Sequence, residues 1–447
     1  MRSEKHLVTT INKIWREPSV LNRNGSFKLL SLKKYSDGCH YISYKIPKKH
    51  GGFRLISVPC KKLYYIQKCI AVLLNSIYRP NENTFGFIDG KSIVGNAQKH
   101  VGKDIVYNID LKDFFNSITY DTIIEKLIRQ PYYFSFSSAK LLTGLLTVDV
   151  CGEKVIPQGA PSSPILTNII ANHLDVRLSK FAEKYNLTYS RYADDITISF
   201  DKSVLRGWSG HGLYKGLRDI IFDIIRTEGF EINKHKTRIS FINQRHEVTG
   251  LIVNKKVNVR RCYIKNIRTV LHNWEKDGYI IASYIFFKHY EKSNPSKKRF
   301  VTIERVLDGQ LSFIKMVKGE DDLTYKKLKE RFDILCDRDF KFLDLNAQFW
   351  SNIKVFFSSL RNYESLGLLK EMRLFTEQEK TIVASSVIVP CDKGKTVRFA
   401  IVGGGQTFIP LSPNSPLGVG ESVDFDKALL LMLKREDGSC VYRVEAW

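Results

Sequence analysis

The chain has 447 residues, 43% of them hydrophobic, and a formal net charge of +24 with a pI near 9.5. This length predicts about two to four domains, and the charge favours a polyanionic partner, with nucleic acid favoured over an anionic membrane surface. We expect no membrane span, because no apolar run approaches ~20 residues, and no signal peptide, because the N-terminal segment MRSEKHLVTTINKIWREP has no apolar h-region. We expect reduced thiols rather than disulfides or a zinc site, because the eight cysteines form no CxxC pair.

The segment DIVYNIDLKDFFNSI, residues 104–118, predicts a strand that ends at an acidic residue. Ile105, Val106, Tyr107 and Ile109 have the composition of a buried strand. Asp110 stands at the end of that strand, and a second acidic residue, Asp113, follows three residues later.

The segment IPQGAPSSPILTNIIANHLD, residues 156–175, predicts a loop followed by a helix. Ser163 is predicted as the N-cap and Pro164 as part of the first turn. Apolar residues then recur at helical spacing, which indicates core packing. Gln158 and Gly159 precede the helix, where a polar side chain and a close backbone approach are available.

The segment LTYSRYADDITISF, residues 187–200, predicts a hairpin with Asp194 and Asp195 at a two-residue turn. Adjacent acids at an exposed turn are often only solvated. A strand that ends at Asp110 beside this turn would instead gather three carboxylates at one point. These carboxylates repel one another unless cations lie between them, and Mg²⁺ takes oxygen ligands and keeps waters for substrate phosphates. Two ions about 4 Å apart activate a hydroxyl and stabilise the leaving pyrophosphate, so the pattern predicts nucleotidyl transfer.

Residues 257–370 predict a helical region, and residues 376–447 predict a small β-domain. The apolar face of residues 259–276 is flanked by Arg260, Arg261 and Lys265, which suits phosphate contacts along a duplex or a solvated basic surface. After Thr376, short strand-like segments alternate with Gly- and Pro-rich segments, which favours an all-β barrel. Residues 376–447 carry eight Lys/Arg and nine Asp/Glu, a balance that argues against tight generic binding of nucleic acid. Docking of another protein is therefore an alternative role for this domain.

Several blocks resemble reverse transcriptases and follow that family's order over about residues 20–370. YADD at 192–195 is similar to the catalytic box, and NIDLKDFF at 108–115 is similar to the segment with the first catalytic aspartate. The resemblance implies an α+β right-hand polymerase. Its expected parts are an N-terminal region and fingers (1–100), a palm with a fingers insertion (101–256), a helical thumb (257–372) and a small β-barrel of OB or cold-shock type (376–447).

The resemblance implies a catalytic role for each carboxylate. Asp110, Asp194 and Asp195, with the backbone of Leu111, would hold two Mg²⁺ ions. Lys236, in the segment NKHKT, would protonate the leaving pyrophosphate or only contact a phosphate.

The resemblance also implies a pocket for the incoming deoxynucleotide (dNTP). Arg54 would clamp the triphosphate, and Gln158 and Gly159 would contact the nucleotide. Phe115 would exclude a ribose 2′-hydroxyl as a steric gate, unless it is a core aromatic. Asp113 is either near the triphosphate or a structural turn acid.

Two short motifs resemble signatures of retron reverse transcriptases, NAQKH at 96–100 and VTG at 248–250. By this resemblance Asn96, His100 and the residues Val248, Thr249 and Gly250 would recognise the cognate RNA or support its priming. A lone histidine on an apolar segment is otherwise a structural residue. The strand pair at TGLIVN would also hold the primer end.

The reaction that this resemblance implies is synthesis of DNA on the enzyme's own structured non-coding RNA. A 2′-hydroxyl of that RNA would prime the reaction, and the product would be RNA-linked single-stranded DNA (msDNA). The implied setting is the bacterial cytoplasm, in anti-phage defence, with a separate effector protein and no membrane. The alternatives are another bacterial reverse transcriptase, intron-related or of a non-retron defence type, and a non-catalytic RNA-binding scaffold, which the intact aspartates disfavour.

Overall fold

The computed structural model describes residues 3–18, 24–48, 51–207, 212–293 and 301–340, and six later strands between 369 and 446. The chain divides into two compact units, Met1–Val259 and Arg260–Trp447. None of the helices in the described ranges has both the length and the apolarity that crossing a membrane requires.

A four-stranded antiparallel sheet forms the centre of the first unit. Strands β3 and β7 are buried along nearly their whole length, because their side chains on both faces are mostly apolar or small. The spatial order is β6 (Thr188–Tyr192), β7 (Asp195–Phe200), β3 (Ile105–Asp110) and β8 (Arg238–Ser240).

Helices pack around this sheet and share one apolar core with it. Leu166, Leu174 and Leu178 of α7 and Ile70 of α3 are fully buried there. The helices are α1 (Glu4–Arg16), α2 (Leu29–Lys34), α3 (Lys61–Ile77), α4 (Ile93–Gln98), α5 (Tyr120–Ile128), α6 (Phe136–Leu146), α7 (Ser163–Lys184) and α8 (Gly212–Thr227), with a 3-10 helix at Lys202–Gly207.

The predicted N-cap of α7 is wrong by one residue. Ser162 occupies the cap position without a side-chain hydrogen bond, and Ser163 is the first helical residue. The Ser163 hydroxyl donates instead to the Pro157 carbonyl at 2.7 Å, so it fixes the loop before the helix.

Three two-stranded ribbons complete the first unit. Each is antiparallel and pairs neighbouring segments of the chain. They are β1 (Tyr41–Pro47) with β2 (Phe53–Pro59), β4 (Val148–Val150) with β5 (Glu153–Val155), and β9 (Glu247–Val248) with β10 (Leu251–Ile252).

The described helices of the second unit have a core of their own. Ile267, Leu271 and Trp274 are fully buried in it, so the predicted apolar face of residues 259–276 does pack inward. Gly278 interrupts the first helix with a φ of 75°. The helices are α9 (Arg261–Ser293), α10 (Ile303–Lys318) and α11 (Leu323–Phe340).

Six strands near the C-terminus form two antiparallel three-stranded sheets. One sheet has the order β11 (Leu369–Leu374), β15 (Ala428–Lys434), β16 (Cys440–Ala446), and the other has β12 (Ser385–Cys391), β13 (Lys395–Val402), β14 (Thr407–Pro410). The expected β-rich segment therefore exists, but β11 begins inside the range expected for the thumb (257–372) and ends beyond it. The strand-like segments that the sequence indicates are TIVASSVIVP, TVRFAIVG, ESVDF and CVYRVEAW, and β15 is not among them. ESVDF (421–425) lies outside the described residues, and so does most of SNPSKKRF (293–300), a basic segment for which the sequence also suggests phosphate contacts. Closure of the strands into one barrel stays a prediction.

Candidate active site

The central sheet places two of the three candidate carboxylates opposite each other. Asp110 is the last residue of β3 and Asp195 the first of β7, and the two are direct partners in the antiparallel register. Directly opposed residues share one face of a sheet. Asp110 is buried, and Asp195 keeps part of its surface in contact with solvent, so this pair opens to solvent at the sheet's end.

Asp194 lies in the turn before β7. The turn consists of Ala193 and Asp194, because Tyr192 pairs with Asp195. The predicted hairpin is therefore present, but its turn is one residue earlier than expected. The Leu111 amide donates to the Asp194 carbonyl at 3.0 Å, which joins the turn to the residue that follows Asp110.

The carboxylates of the doublet are destabilised in their charged form. Loss of hydration raises the pKa of Asp195 to about 6, and the negative charges of Asp194 and Asp110 add to this increase. Loss of hydration also raises the pKa of Asp194, and the positive charges of Lys236 and Arg54 partly offset it. The electrostatic field at this point of the sheet thus favours a bound cation.

Lys236 currently supplies a positive charge at Asp110. Its Nζ donates to both carboxylate oxygens, at 3.0 and 3.2 Å. The Asn233 amide donates to the Asp110 carbonyl at 2.8 Å, so the segment that carries Lys236 is fixed to the same strand end.

The donor set of this site fits Mg²⁺. Three carboxylates and the backbone carbonyl of Leu111 are hard oxygen donors, the kind that Mg²⁺ prefers. Within the described residues, however, no three His, Cys, Asp or Glu side chains converge at the spacing of metal ligands. Both oxygens of the Asp110 carboxylate accept hydrogen bonds from the ammonium group of Lys236.

Three of the five candidate nucleotide-binding residues, Arg54, Gln158 and Gly159, lie on the β1–β2 ribbon or on the loop before α7. The Ser57 amide donates to the Gln158 carbonyl at 2.8 Å, which fixes the loop to β2. A Cβ at Gly159 would lie 2.9 Å from the Ile56 Cγ2, and its φ is 116°, so only glycine fits without strain. Arg54 is exposed on β2, close enough for its charge to act on Asp194.

The two adjacent phenylalanines after β3 point in different directions. Phe114 is 2% exposed and packs on Phe230 in the core. Phe115 is only half-buried, and its ring meets Phe87 edge-on at 6.4 Å. Of the two rings, Phe115 is therefore the one available to a ligand. Asp113 is exposed with a φ of 47°, a conformation typical of a turn acid.

The two retron-like motifs pack against each other. Asn96 lies in α4, and the Thr249 hydroxyl donates to the Ile93 carbonyl of that helix at 3.3 Å. Thr249 and Gly250 form the β9–β10 turn, both with positive φ.

Burial argues against direct RNA contact at three of these positions. Asn96 and Val248 are at most 1% exposed. His100 is fully buried, and its two ring nitrogens hydrogen-bond Ser199 and Ser190 at 2.7 Å each. Burial lowers the His100 pKa to about 3, and the positive charges of Lys99 and Lys103 add to this effect. Because Ser190 belongs to β6 and Ser199 to β7, His100 holds the two strands of this hairpin together.

A buried ion pair beneath the doublet was not predicted. The guanidinium of Arg191 donates to Asp175 through Nε at 2.7 Å and Nη2 at 2.6 Å, and both side chains are fully buried. Its Nη1 donates to the Ala193 carbonyl at 2.9 Å, next to Asp194. The sequence did contain a signal, because Asp175 stands among the apolar helix positions and Arg191 within a strand.

The carboxylate of Asp175 has further donors, and the turn has a second close neighbour. The hydroxyls of Tyr189 and Thr84 donate to Asp175 at 2.6 and 2.8 Å. A Cβ at Gly86 would lie 2.3 Å from the Ala193 nitrogen, so the backbone there can approach the turn only because residue 86 is glycine.

Arg260, Arg261 and Lys265 belong to the second unit. All three are exposed around the start of α9, as expected for a basic surface. Whether that surface contacts nucleic acid stays a prediction.

The chain is similar to known reverse transcriptases. Residues 46–259 match the family model for reverse transcriptase (RNA-dependent DNA polymerase). The chain is 35% identical over 255 residues to the retron Ec86 reverse transcriptase of Escherichia coli, covering 56% of this chain and 74% of that protein. It is 30% identical over 271 residues to the retron Ec83 reverse transcriptase of the same species, covering 59% and 80%.

A third relative is the retron Mx65 reverse transcriptase of Myxococcus xanthus, 32% identical over 293 residues. The matched segment covers 63% of this chain and 62% of that relative. The alignment to Mx65 thus spans less than two thirds of that protein's length.

Proposed function

Because this chain belongs to the retron reverse transcriptases, a family of RNA-directed DNA polymerases, we propose that it copies its own structured non-coding RNA into DNA. The substrates are dNTPs and that RNA, and the product is single-stranded DNA linked to the RNA. A 2′-hydroxyl of the RNA serves as the primer. The polymerase fold combines helices with antiparallel sheets, and we retain the fingers, palm, thumb and OB-type barrel as the proposed parts.

The register of β3 against β7 carries this proposal. It pairs Asp110 with Asp195 at the end of a buried sheet, and Asp194 is the neighbouring residue of the turn. Two buried strands hold these backbones in place. A rigid pair of strand ends is the kind of support that a catalytic constellation requires.

The residues that would hold two Mg²⁺ ions are Asp110, Asp194 and Asp195, with the carbonyl of Leu111. When bound, the ions would activate the primer hydroxyl and stabilise the charge on the leaving pyrophosphate. The carboxylates contribute the negative charge that concentrates the cations, and their mutual repulsion falls when the cations bind.

Lys236 has two roles in this proposal. In the ligand-free protein its ammonium neutralises Asp110. Its side chain is 61% exposed, so it can turn toward a bound triphosphate once the carboxylate has another cation. There it donates a hydrogen bond or a proton to the leaving pyrophosphate.

The pocket residues select and orient the nucleotide. Arg54 is exposed, and its positive charge is close enough to Asp194 to lower the pKa of that carboxyl. In this position its guanidinium would bind phosphate oxygens bidentately. The half-buried ring of Phe115 excludes a 2′-hydroxyl by its bulk. Gln158 presents an amide near β2, since its own backbone is fixed to Ser57.

We further propose that the product acts in anti-phage defence together with a separate effector protein. The C-terminal strands are a candidate docking module for that protein, because residues 376–447 carry eight Lys/Arg and nine Asp/Glu in a chain whose net charge is +24. Their near neutrality disfavours tight generic binding of nucleic acid.

A synthesis assay without an added primer tests the proposed function. The purified protein is incubated with Mg²⁺, dNTPs and the non-coding RNA that neighbours its gene, beside an Asp194→Asn/Asp195→Asn control. A branched DNA product that stays attached to RNA after RNase trimming supports the proposal. Extension only from an added oligonucleotide would indicate another class of reverse transcriptase, and no synthesis would indicate a binding scaffold.

A further inference from the structure

A basic cleft of about 520 Å³ lies between α8 and the outer edge of the central sheet. Its sheet side is formed by β8, which is the last strand in the order, and by Tyr107 of β3. We call it the edge cleft. Successive side chains of a strand point to opposite faces, so Tyr107 faces away from the side of Asp110, three residues further on. Ile239 pairs with Tyr107, so the floor of the edge cleft lies on the face of the sheet opposite to the candidate carboxylates. Arg238 instead pairs with Asn108, at the edge of the sheet, and its charge reaches Asp195.

The walls of the edge cleft carry net positive charge. They contain Arg218, Arg226, Lys234 and Arg238, and a single acid, Asp219. The guanidinium of Arg218 holds Asp219 with hydrogen bonds of 2.9 and 3.1 Å, so this acid is matched by its neighbour. The other three cations are exposed. Of these, Arg238 has the carboxylate of Glu247 3.8 Å away, too far for a hydrogen bond.

The edge cleft also has an aromatic floor. The rings of Tyr107 and Phe222 are stacked, with centroids 6.4 Å apart and an angle of 19° between their planes. The Arg218 guanidinium lies 5.9 Å from the Phe222 ring. Tyr107 is 4% exposed, so the half-buried Phe222 ring and the Arg218 guanidinium are the surfaces on which an unpaired base can stack. The positive walls attract the phosphates on either side of that base.

From these features we infer that the edge cleft binds the phosphodiester backbone of an RNA segment that is not being copied. The floor of the cleft and the carboxylates lie on opposite faces of the sheet, so we assign to the cleft a segment other than the one being copied. The cleft is larger than a phosphate ion requires and is open to solvent, which suits a polynucleotide. This inference rests on the proposed function only in taking the enzyme's own structured RNA as the source of that segment.

A salt titration with matched charge variants tests this inference. The full-length protein is saturated with poly(rA)/oligo(dT) to occupy the polymerase site. Binding of a fluorescent RNA hairpin with a single-stranded tail is then measured by anisotropy, in parallel with DNA of the same sequence. The cleft variant is Arg226→Gln/Lys234→Gln. The control is Lys5→Gln/Lys180→Gln, at two exposed lysines outside the cleft, and Arg226→Lys/Lys234→Arg retains the cleft charge.

We expect the cleft variant to bind RNA about tenfold more weakly and to lower the slope of log K against log salt by about 1.5, since each lost contact removes about 0.7–0.9. The control and the charge-retaining variant should match the wild type. Equal losses in cleft variant and control, or no loss, would overturn the inference, and equal losses with DNA would assign the cleft to the DNA product. Extension of oligo(dT) on poly(rA) by the wild type is scored separately. Its absence would contradict the proposed polymerase activity while leaving the binding result intact.

Discussion

Variants of the buried Arg191–Asp175 pair test two separate effects of these residues. One is the contribution of the pair to the unfolding free energy, and the other is the effect of Arg191 on the turn that carries Asp194. The perturbation is a double-mutant cycle of Asp175→Asn, Arg191→Met and the two combined. Asparagine keeps an acceptor for the Tyr189 and Thr84 hydroxyls, and methionine keeps the volume of the arginine stem without its charge.

The expected magnitude follows from the complete burial of both groups. Removing one member of a buried pair leaves an uncompensated charge and costs about 3–5 kcal/mol of unfolding free energy. Removing both charges leaves none behind, so the double variant should lose about 2–4 kcal/mol, well below the sum of the single losses. The coupling energy is therefore at least about 2 kcal/mol.

Activity should not follow stability in this cycle. Every variant that lacks Arg191 loses the hydrogen bond to the Ala193 carbonyl, so the turn that carries Asp194 is less well held. A displacement of about 1 Å at reacting groups costs roughly 100-fold in rate. We expect Arg191→Met and the double variant to extend a primer about 10- to 100-fold more slowly at a temperature where both are folded.

The assay combines urea unfolding with single-turnover primer extension at low temperature. Additive losses of stability would show that the two charges do not depend on each other. Wild-type extension rates in the double variant would show that Arg191 does not position the turn. Either result would refute the reasoning.

Three further predictions concern single residues around the site. Phe115→Val should reduce the discrimination of dNTPs from ribonucleotides by about 10- to 100-fold in kcat/KM. Phe114→Ala should instead lower the unfolding free energy by about 3–5 kcal/mol. Unchanged discrimination in Phe115→Val would exclude Phe115 as the steric gate. Gly86→Ala should slow extension by roughly 100-fold, since its Cβ would meet the Ala193 nitrogen, while Gly309→Ala, with no atom within 4 Å of its Cβ, should have no effect; equal rates would contradict this. Burial lowers the pKa of His100 to about 3 in the folded protein, whereas in the unfolded chain the ring takes up a proton below pH ~6.5. Lowering the pH from 7 to 5 should therefore cost about 2 kcal/mol of unfolding free energy. Hydrogen exchange of peptides across 188–200 should show that loss in the wild type and not in His100→Gln.

Local sequence pattern was sufficient for the elements that carry the carboxylates. The strand that ends at Asp110 and the hairpin after Leu187 depend on short-range apolar periodicity and on turn residues, which a sequence displays directly. The turn was misplaced by one residue because contacts from elsewhere hold it. Gly86 approaches Ala193, and Arg191 binds the Ala193 carbonyl.

The remaining differences share the same physical origin. The partners Arg191 and Asp175 come from a strand and a helix, and although each stands within a buried element, nothing local shows that the two charges pair with each other. His100 likewise takes its partners, Ser190 and Ser199, from far along the chain, so a motif alone could not distinguish a brace from an RNA contact. Ala428–Lys434 is a continuous apolar run without alternation, which periodicity does not separate from other buried segments.

The most direct test of the central claim is the single-turnover rate of primer extension on an RNA template as a function of Mg²⁺ concentration. The wild type should show saturable dependence on Mg²⁺. Asp110→Asn and Asp195→Asn should each lower the maximal rate by about a thousandfold while retaining template affinity, because each removes a charged ligand of the two proposed Mg²⁺ ions. A rate within tenfold of the wild type in either variant, or extension that persists in excess EDTA, would contradict the claim that these strand-end carboxylates act through divalent cations.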